Sequence, residues 1–400
     1  MVQQQEAESG GGIRDRESPV ENRQSEDRKS ILSAIELTLL PGVGTITQNR
    51  IWKNLRELSE LFAMDADGLE SFGIPAEVFG LIRSRSLRDT AAEIYDWGGR
   101  EGCRFLLRGH PDYPAFLEEI FDPPRVLYAR GQAEALKKVC IAIVGTRRPT
   151  VYGLQMAQGI AADLGSRGLC VISGLARGID GAAHRGCLEG DGSTIAVLGC
   201  GIDVVYPREH RQLTQRILQK GLLLSEFPPG TSPAPQNFPI RNRIISGLSI
   251  GTVIVEASEY SGSLITARLA MEQNREVFAL PGNLTSPQSF GPNFLIKQGA
   301  KLVQTWRDIV EELPSEIRQE IFIKEDARTP DKPELELLSE EEIRILDLLK
   351  ADEAIQFDRI YRGCGLSIAQ LSNLLLNLEM SGRIRQLPGN LYVKTRKQST

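Results

Sequence analysis

The middle of this 400-residue chain alternates short apolar runs with amphipathic stretches, and this pattern constrains its fold more than any other feature. The apolar runs are uninterrupted and bounded by Gly, Ser or Pro, which is typical of strands buried on both faces. They lie at residues 139–144, 169–172, 194–198, 222–224, 252–255 and 277–280, with helical stretches at residues 152–166, 180–189, 209–219, 242–248 and 263–273. Such alternation predicts right-handed crossovers and an α/β fold with a Rossmann-like, doubly wound parallel sheet over residues 108–315.

The segment before the sheet is predicted to form a small helical domain. Residues 1–28 are polar and charged, which indicates a disordered leader, and residues 29–107 follow a helical pattern. A Pro-Gly-Val-Gly turn at residues 41–44 separates two of the helical runs. Such a turn is typical of a helix-hairpin-helix (SAM-like) domain, in which the free amide groups of the second helix can hold a phosphate. A plain helical hairpin turn explains the motif equally well.

The segment after the sheet is predicted to hold an acidic linker at residues 316–338 and a winged helix at residues 339–396. Three helices are expected at residues 340–351, 357–363 and 367–381, followed by a β-hairpin at residues 383–386 and 391–394. Ser367 is a plausible N-cap of the third helix, whose apolar stripe points to a core: Leu371, Leu374, Leu375 and Leu378.

The opposite face of that third helix lacks Arg and Lys, and carries Gln370, Ser372, Asn373, Asn377 and Glu379. A recognition helix normally brings cations to the phosphates of a duplex. The sequence therefore favours an interaction module over a DNA sequence reader, and it weakens the hypothesis of a transcription factor.

Composition excludes several classes of site. The six cysteines are far apart and the three histidines scattered, which fits neither a metal site nor a disulfide framework. The net charge of −5 is uneven, since residues 106–315 hold 21 Lys and Arg against 19 Asp and Glu, and residues 316–342 hold 4 against 10. Local arginine clusters therefore matter more than the total. With no signal-peptide h-region and no apolar run long enough to span a membrane, we expect a cytoplasmic protein.

The loops that follow the predicted strands are where a ligand is expected, because ligands of open α/β sheets bind beyond the carboxyl ends of the strands. The first loop, residues 144–150, offers Gly145, Thr146, Arg147 and Arg148 to an anion. The second, residues 173–184, brings Ser173, Gly174 and Arg177 in a glycine-rich turn that can expose amide groups. No G-x-G-x-x-G fingerprint is present, which argues against NAD or FAD.

Residues 237–246 give the sharpest signal. Phe238 stands beside Arg241, Asn242 and Arg243, which combines a stacking face with two guanidinium groups and an amide, as single-stranded nucleic acid requires. The alternative is that Phe238 anchors the core and the arginines pair with acids such as Glu226.

Two further groups are candidates. Ser261, Gly262, Ser263 and Thr266 open the helix after the fifth strand and can supply hydroxyls and amides to a phosphate. Asp180 and His184 lie four residues apart on one helix, where a structural hydrogen bond between them is favoured over a catalytic pair.

These motifs together resemble the DNA-processing protein A (DprA/Smf) family, from the helix-hairpin-helix segment to the winged helix. The resemblance implies a homodimer without catalytic activity or cofactor that binds single-stranded DNA and loads RecA in natural transformation or recombination, displacing single-strand-binding protein. It implies that Arg147, Phe238, Arg241 and Arg243 contact the DNA. Some relatives carry Lys where this chain has Pro235.

An enzyme of related fold, a nucleoside-monophosphate phosphoribohydrolase, is the competing hypothesis because it shares glycine-rich phosphate loops. Such enzymes carry a Pro-Gly-Gly-x-Gly-Thr loop, whereas this chain has Pro-Gly-Asn-Leu at residues 281–284.

Overall fold

The computed structural model describes residues 19–327, 339–350 and 353–395, with side chains placed from residue 27 and, in the segment that ends at 327, up to residue 321. Helices of the N-terminal part are α1 (Pro19–Leu39), α2 (Thr45–Asn54), α3 (Ala66–Ser71), α4 (Phe79–Ser84) and α5 (Arg88–Glu101). Helix α1 starts inside the predicted disordered leader, so that prediction is wrong for residues 19–28, and residues 1–18 lie outside the described residues.

The turn between α1 and α2 is the predicted Pro-Gly-Val-Gly hairpin, with Gly42 in the left-handed region at φ 74°. Helix α2 packs on the segment that leads into the sheet. The Asn49 amide donates to the Pro123 carbonyl at 3.2 Å and accepts from Arg108 at 2.7 Å. These contacts fix α2 to the sheet, while Pro41, Gly42 and Gly44 of the turn are exposed, so phosphate binding by the hairpin stays a prediction.

The large sheet has nine strands among the described residues, in the order β1-β2-β6-β5-β4-β3-β7-β8-β9. They are β1 (Cys103–Leu107), β2 (Val126–Gly131), β3 (Cys140–Val144), β4 (Cys170–Ser173), β5 (Thr194–Val197), β6 (Leu222–Ser225), β7 (Gly251–Ile254), β8 (Glu276–Ala279) and β9 (Lys301–Leu302). Strands β3 to β9 are parallel, whereas β1 and β2 are antiparallel additions beside β6. The predicted Rossmann-like sheet is confirmed, and the predicted boundary at residue 107 wrongly assigned β1 to the helical domain.

Helices cover both faces of this sheet: α6 (Ala115–Glu118), α7 (Val151–Ser166), α8 (Ile179–Glu189), α9 (Arg211–Lys220), α10 (Asn237–Gly247), α11 (Gly262–Glu272), α12 (Phe290–Lys297), α13 (Trp306–Val310) and α14 (Ser315–Ala327). Alternate residues of β3 enter cores on opposite faces, with Ala142 in one core and Ile143 in the other. Helix α14 occupies the first part of the segment predicted to be a linker. The linker prediction is wrong for these residues, because Ile321 of α14 is buried in one of the two cores.

The C-terminal part contains α15 (Glu340–Leu348), β10 (Ile355–Gln356), α16 (Phe357–Cys364), α17 (Ile368–Met380), β11 (Ile384–Leu387) and β12 (Leu391–Lys394). This is the predicted winged helix, with β10 added to the hairpin to give the order β10-β12-β11. Ser367 caps α17 by accepting from the Gln370 amide, as predicted. Of the predicted stripe, Leu371, Leu375 and Leu378 are buried and Leu374 is partly buried.

Candidate nucleic-acid interface

A pocket opens at the carboxyl ends of three neighbouring strands. The loops after β3, β4 and β5 form its walls, and the first turn of α10 closes one side. The residues that line it are Arg147, Gly174, Ala176, Arg177, Leu198, Gly199, Cys200, Tyr206, Pro207 and Phe238. Four of the predicted site residues therefore meet in one place: Arg147, Gly174, Arg177 and Phe238.

Phe238 is half-buried in this pocket rather than part of the core. Its ring centroid lies 5.7 Å from that of Tyr206, with the two rings tilted by 38°. The guanidinium carbon of Arg147 lies 5.2 Å from the Phe238 centroid, within the range of a cation–π contact. An aromatic ring held at a pocket surface beside an exposed arginine is suited to stacking on a flat ligand.

Two glycines allow this arrangement. A Cβ atom at Gly199 would come within 2.8 Å of the Phe238 ring, and one at Gly174 would meet the Arg241 guanidinium at 2.2 Å. Because real Cβ atoms do not approach so closely, any side chain at either position would displace the ring or the guanidinium.

Arg241 lies beneath the pocket and not at its surface, since only 3% of the residue is exposed. It donates to the Val197 carbonyl, and its Nε has no hydrogen-bond partner among the described residues. Burial lowers the pKa of Arg241 to about 10, while the charge of Asp180 opposes the shift. The predicted DNA contact by Arg241 is corrected accordingly: it is a buried cation in the pocket floor, still charged at neutral pH.

Arg243 points away from the pocket into a buried ion pair. Its guanidinium donates to both Glu226 oxygens at 2.7 Å and lies 3.0 Å from Asp122. Burial by itself would lower the pKa of Arg243, but the two carboxylates outweigh it and the pKa is raised. The predicted DNA contact by Arg243 is therefore wrong. The alternative interpretation, in which this arginine pairs with Glu226, is correct.

The residues below the second loop are also internal. Ser173 is fully buried and donates to the Ile143 carbonyl at 2.6 Å, so the structure contradicts its predicted contact with a ligand. Asp180 accepts from the amides of Gly174 and Ala176 at 3.2 and 3.3 Å, which shapes this wall of the pocket. Burial raises the pKa of Asp180, although Arg241 and these amides oppose the shift.

His184 has no bond to Asp180. Its Nδ1 lies 2.7 Å from the Thr194 hydroxyl, which itself donates to the Val171 carbonyl. Because the Thr194 hydrogen is used in that bond, the protonated Nδ1 of His184 donates a hydrogen bond to the Thr194 hydroxyl oxygen. Burial lowers the pKa of His184 to about 3, so the ring is neutral at pH 7. The predicted hydrogen bond between Asp180 and His184 is therefore wrong, while the contacts of His184 agree with a structural rather than a catalytic role.

The first loop divides between packing and exposure. Gly145 lies against Ile179 and the Glu256 carbonyl. The Thr146 amide donates to that same carbonyl at 2.7 Å, and its hydroxyl accepts from the Arg148 amide at 3.2 Å. The side chains of Arg147 and Arg148 are exposed, so the arginines of this loop can reach a ligand while Gly145 and Thr146 shape the backbone.

The topological switch point of the sheet, between β3 and β7, is filled by a side chain. Glu256 is 3% exposed, and its carboxylate accepts from the Thr150 amide at 2.9 Å and the Thr150 hydroxyl at 2.5 Å. Thr150 is the N-cap of α7, where dinucleotide-binding folds hold a pyrophosphate. The protein's own carboxylate occupies that anion position, which displaces the candidate site towards β4 and β5.

The start of α11 lies outside the pocket. Ser263 and Thr266 are buried, and the Ser261 and Ser263 hydroxyls lie 2.8 Å apart. The Asn242 amide reaches the Gly262 carbonyl at 3.5 Å, which connects this group to α10. Of the four residues predicted to hold a phosphate at this helix start, Ser261 is half-buried and Gly262 is exposed.

Sequence reasoning missed the third wall of the pocket, formed by Leu198, Gly199, Cys200, Tyr206 and Pro207. These residues follow β5, so the rule that sites lie at strand ends applied to them as well. An aromatic residue, Tyr206, shortly after two glycines, Gly199 and Gly201, was the available signal.

The described residues contain no group of three or more His, Cys, Asp or Glu side chains arranged to hold a metal ion. Within those same residues, no helix is both long enough and apolar enough to cross a membrane.

Comparison with known proteins matches this geometry to one family. The family model described as DNA recombination-mediator protein A matches residues 104–314, and the DprA winged helix domain matches residues 328–390. The chain is 49% identical over 215 residues to the DNA processing protein DprA of Bacillus subtilis (strain 168), which covers 54% of this chain and 72% of that protein.

Two further relatives extend the match. Protein Smf of Escherichia coli (strain K12) is 41% identical over 292 residues, 71% of this chain and 75% of the relative. The X-ray structure of DNA processing protein A from Streptococcus pneumoniae is 33% identical with a TM-score of 0.57, and covers 70% of this chain and 96% of that one. The chain therefore belongs to the DNA recombination-mediator protein A family, also known as DprA/Smf.

Proposed function

We propose that this protein binds single-stranded DNA at the pocket between β4, β5 and α10 and acts on it as a recombination mediator without catalysing a reaction. The observation that carries the proposal is the half-buried Phe238 ring, flanked by the exposed Arg147 and set above the buried charge of Arg241. The family to which the chain belongs supports the mediator role.

Phosphates and bases have separate partners in this proposal. Arg147, Arg148 and Arg177 are exposed side chains that bind phosphates without reading sequence. Phe238 stacks on a base, since every base has a π-face. The amides of the loop after β4 and the charge of Arg241 strengthen the positive potential of the pocket.

A single strand fits this pocket better than a duplex. To reach a half-buried ring, a base must unstack from the adjacent bases and rotate towards the protein. The free-energy cost of this rotation is lower for an unpaired base than for a paired one. The lack of Arg and Lys on α17 also favours an interaction module over a duplex reader in the winged helix.

The competing nucleotide-processing enzyme is less favoured on physical grounds. Asp180 and His184 both satisfy internal partners, and the Glu256 carboxylate fills the anion position at the switch point. The groups that would act as acid, base or phosphate receptor are thus engaged in the fold.

Loading of RecA, displacement of single-strand-binding protein and homodimerisation belong to the same proposal. Phe290 and Phe294 supply an apolar surface for a dimer, since both rings are exposed and stacked with centroids 6.2 Å apart. Exposed apolar surface of this kind marks contact sites between proteins.

Titration of the full chain with single- and double-stranded oligonucleotides across salt concentrations tests the proposal. We expect tighter binding to the single strand without ATP or Mg²⁺, and a steep loss with salt because counterions are released. The full chain is needed because a fragment that starts at residue 106 would cut through β1 (Cys103–Leu107).

Arg147→Ala should weaken binding of all sequences alike and make the salt dependence shallower, with an unchanged melting temperature. Arg100→Ala is the matched control, since Arg100 is an exposed arginine on α5. Duplex preference, a requirement for ATP, or equal effects of both variants would contradict the proposal.

A further inference from the structure

The arginines at the pocket differ in what their guanidinium groups contact. Arg147 makes no hydrogen bond or ion pair with another described residue and leans over the Phe238 ring. Arg177 instead forms a two-pronged ion pair with Glu209, with Nε–Oε1 and Nη2–Oε2 distances of 2.8 and 2.7 Å. Both partners are open to solvent, with 62% and 51% of their side chains exposed.

This ion pair occupies the atoms that would hold a phosphate. A guanidinium group binds phosphate and carboxylate through the same fork of parallel N–H groups. Glu209 presents its two oxygens to Nε and one Nη of Arg177, so a phosphate cannot use that edge of the fork until the carboxylate leaves.

The backbone position of Glu209 keeps it at the pocket. It lies in the short 3₁₀ helix Arg208–His210, directly after Tyr206 and Pro207, which line the pocket. The loops after β4 and β5 are thereby joined across the pocket rim by a contact between their side chains.

We infer that Glu209 is an internal competitor for the phosphate at Arg177, and that it limits the affinity of this chain for single-stranded DNA. The inference rests on the proposed function and adds a residue that sets its strength. Since an exposed ion pair contributes at most about fivefold to an equilibrium constant, DNA can displace Glu209, at a cost that lowers affinity and favours release.

Glu209→Gln and Glu209→Ala test the inference in the full chain, with single-stranded oligonucleotide binding measured by fluorescence anisotropy. We expect both variants to bind about three- to fivefold tighter than the parent at low salt. If one more phosphate is contacted, the slope of log affinity against log salt becomes steeper by about 0.7.

Asp191→Asn is the matched control. Asp191 also forms an exposed ion pair, with Lys220 at 2.5 Å, but it lies before β5, at the opposite end of the strands from the pocket. Asn tolerates the positive φ of 56° at this position. This variant removes the same charge, and we expect less than a twofold change in affinity.

The Arg177→Ala background separates competition from simple charge repulsion. If Glu209 acts by holding Arg177, Glu209→Gln gives no gain in that background beyond that of Asp191→Asn. An equal gain with and without Arg177, or no gain at all while the parent binds single-stranded DNA, overturns the inference. If neither the parent nor the Glu209 variants bind single-stranded DNA, the proposed function itself fails.

Discussion

Arg243→Ala should unfold the protein more readily rather than weaken a DNA contact. The side chain of Arg243 is only 5% exposed and that of Glu226 only 10%, and Arg243 also donates to the carbonyls of Asp122 and Ile240 at 3.1 Å. Truncation leaves the Glu226 carboxylate buried without its cation. Removal of one partner of a buried pair typically costs about 3–5 kcal/mol, a large share of the roughly 5–15 kcal/mol by which domains are stable.

Urea unfolding followed by circular dichroism measures this loss. We expect the midpoint of the sheet's transition to fall while its slope is unchanged, because the surface exposed on unfolding is the same. Single-stranded DNA affinity, measured under conditions where the variant is still folded, should stay close to that of the parent.

The double variant Arg243→Met with Glu226→Leu is the control for the origin of the loss. Replacement of both members of a buried pair by apolar side chains is often neutral, so the double variant should recover much of the midpoint that Arg243→Ala loses. If Arg243→Ala unfolds at the parent's urea concentration and yet loses affinity for DNA, the structural assignment of Arg243 is refuted.

Three further predictions follow from the pocket, the core and the surface. Phe238→Ala should cost about 1–3 kcal/mol of single-stranded DNA binding. Because the ring is only half-buried, the loss of folding stability should be smaller than the roughly 3–5 kcal/mol that truncation of a buried Phe costs. Unchanged affinity in the titration would contradict stacking. The neutral His184, with a pKa near 3 against about 6.5 when unfolded, contributes stability that is present above pH ~6.5 and lost as the pH falls. The free energy of unfolding of the parent, obtained from urea titrations, should therefore drop by about 2 kcal/mol more between pH 7.5 and 5 than that of His184→Gln, and parallel pH profiles would refute this. Phe294→Glu should shift the mass measured by light scattering from dimer to monomer, and an unchanged mass would exclude the exposed rings of α12 as the dimer surface.

Local patterns predicted the elements whose signals are short-range. The six predicted strands of the middle segment correspond to β3–β8, because each is an apolar run set between turn residues. Ser367 and Gln370 form the N-terminal capping box of α17 through contacts three residues apart.

Elements with weak local signals were missed. Strand β1 carries the polar Arg104 between apolar residues, and it is a strand because it pairs with β2, more than twenty residues later in the chain. Helix α10 starts at Asn237, five residues before the predicted start, so Phe238 lies in its first turn and Arg241 at the start of its second. In both cases tertiary contacts outweighed the local pattern.

By itself the sequence determined the parallel α/β sheet, the winged helix and the strand-end loops that would hold a site, because periodicity and turn chemistry are properties of neighbouring residues. It also supplied the arginines of the site, which it could not tell apart. Only the tertiary structure decided that Arg147 is exposed, that Arg177 is held by Glu209, that Arg241 lies in the pocket floor and that Arg243 is buried in an ion pair. The physical reason is that the role of a charge depends on its solvent exposure and on its partners, and here these come from distant parts of the chain, such as Asp122, 121 residues before Arg243.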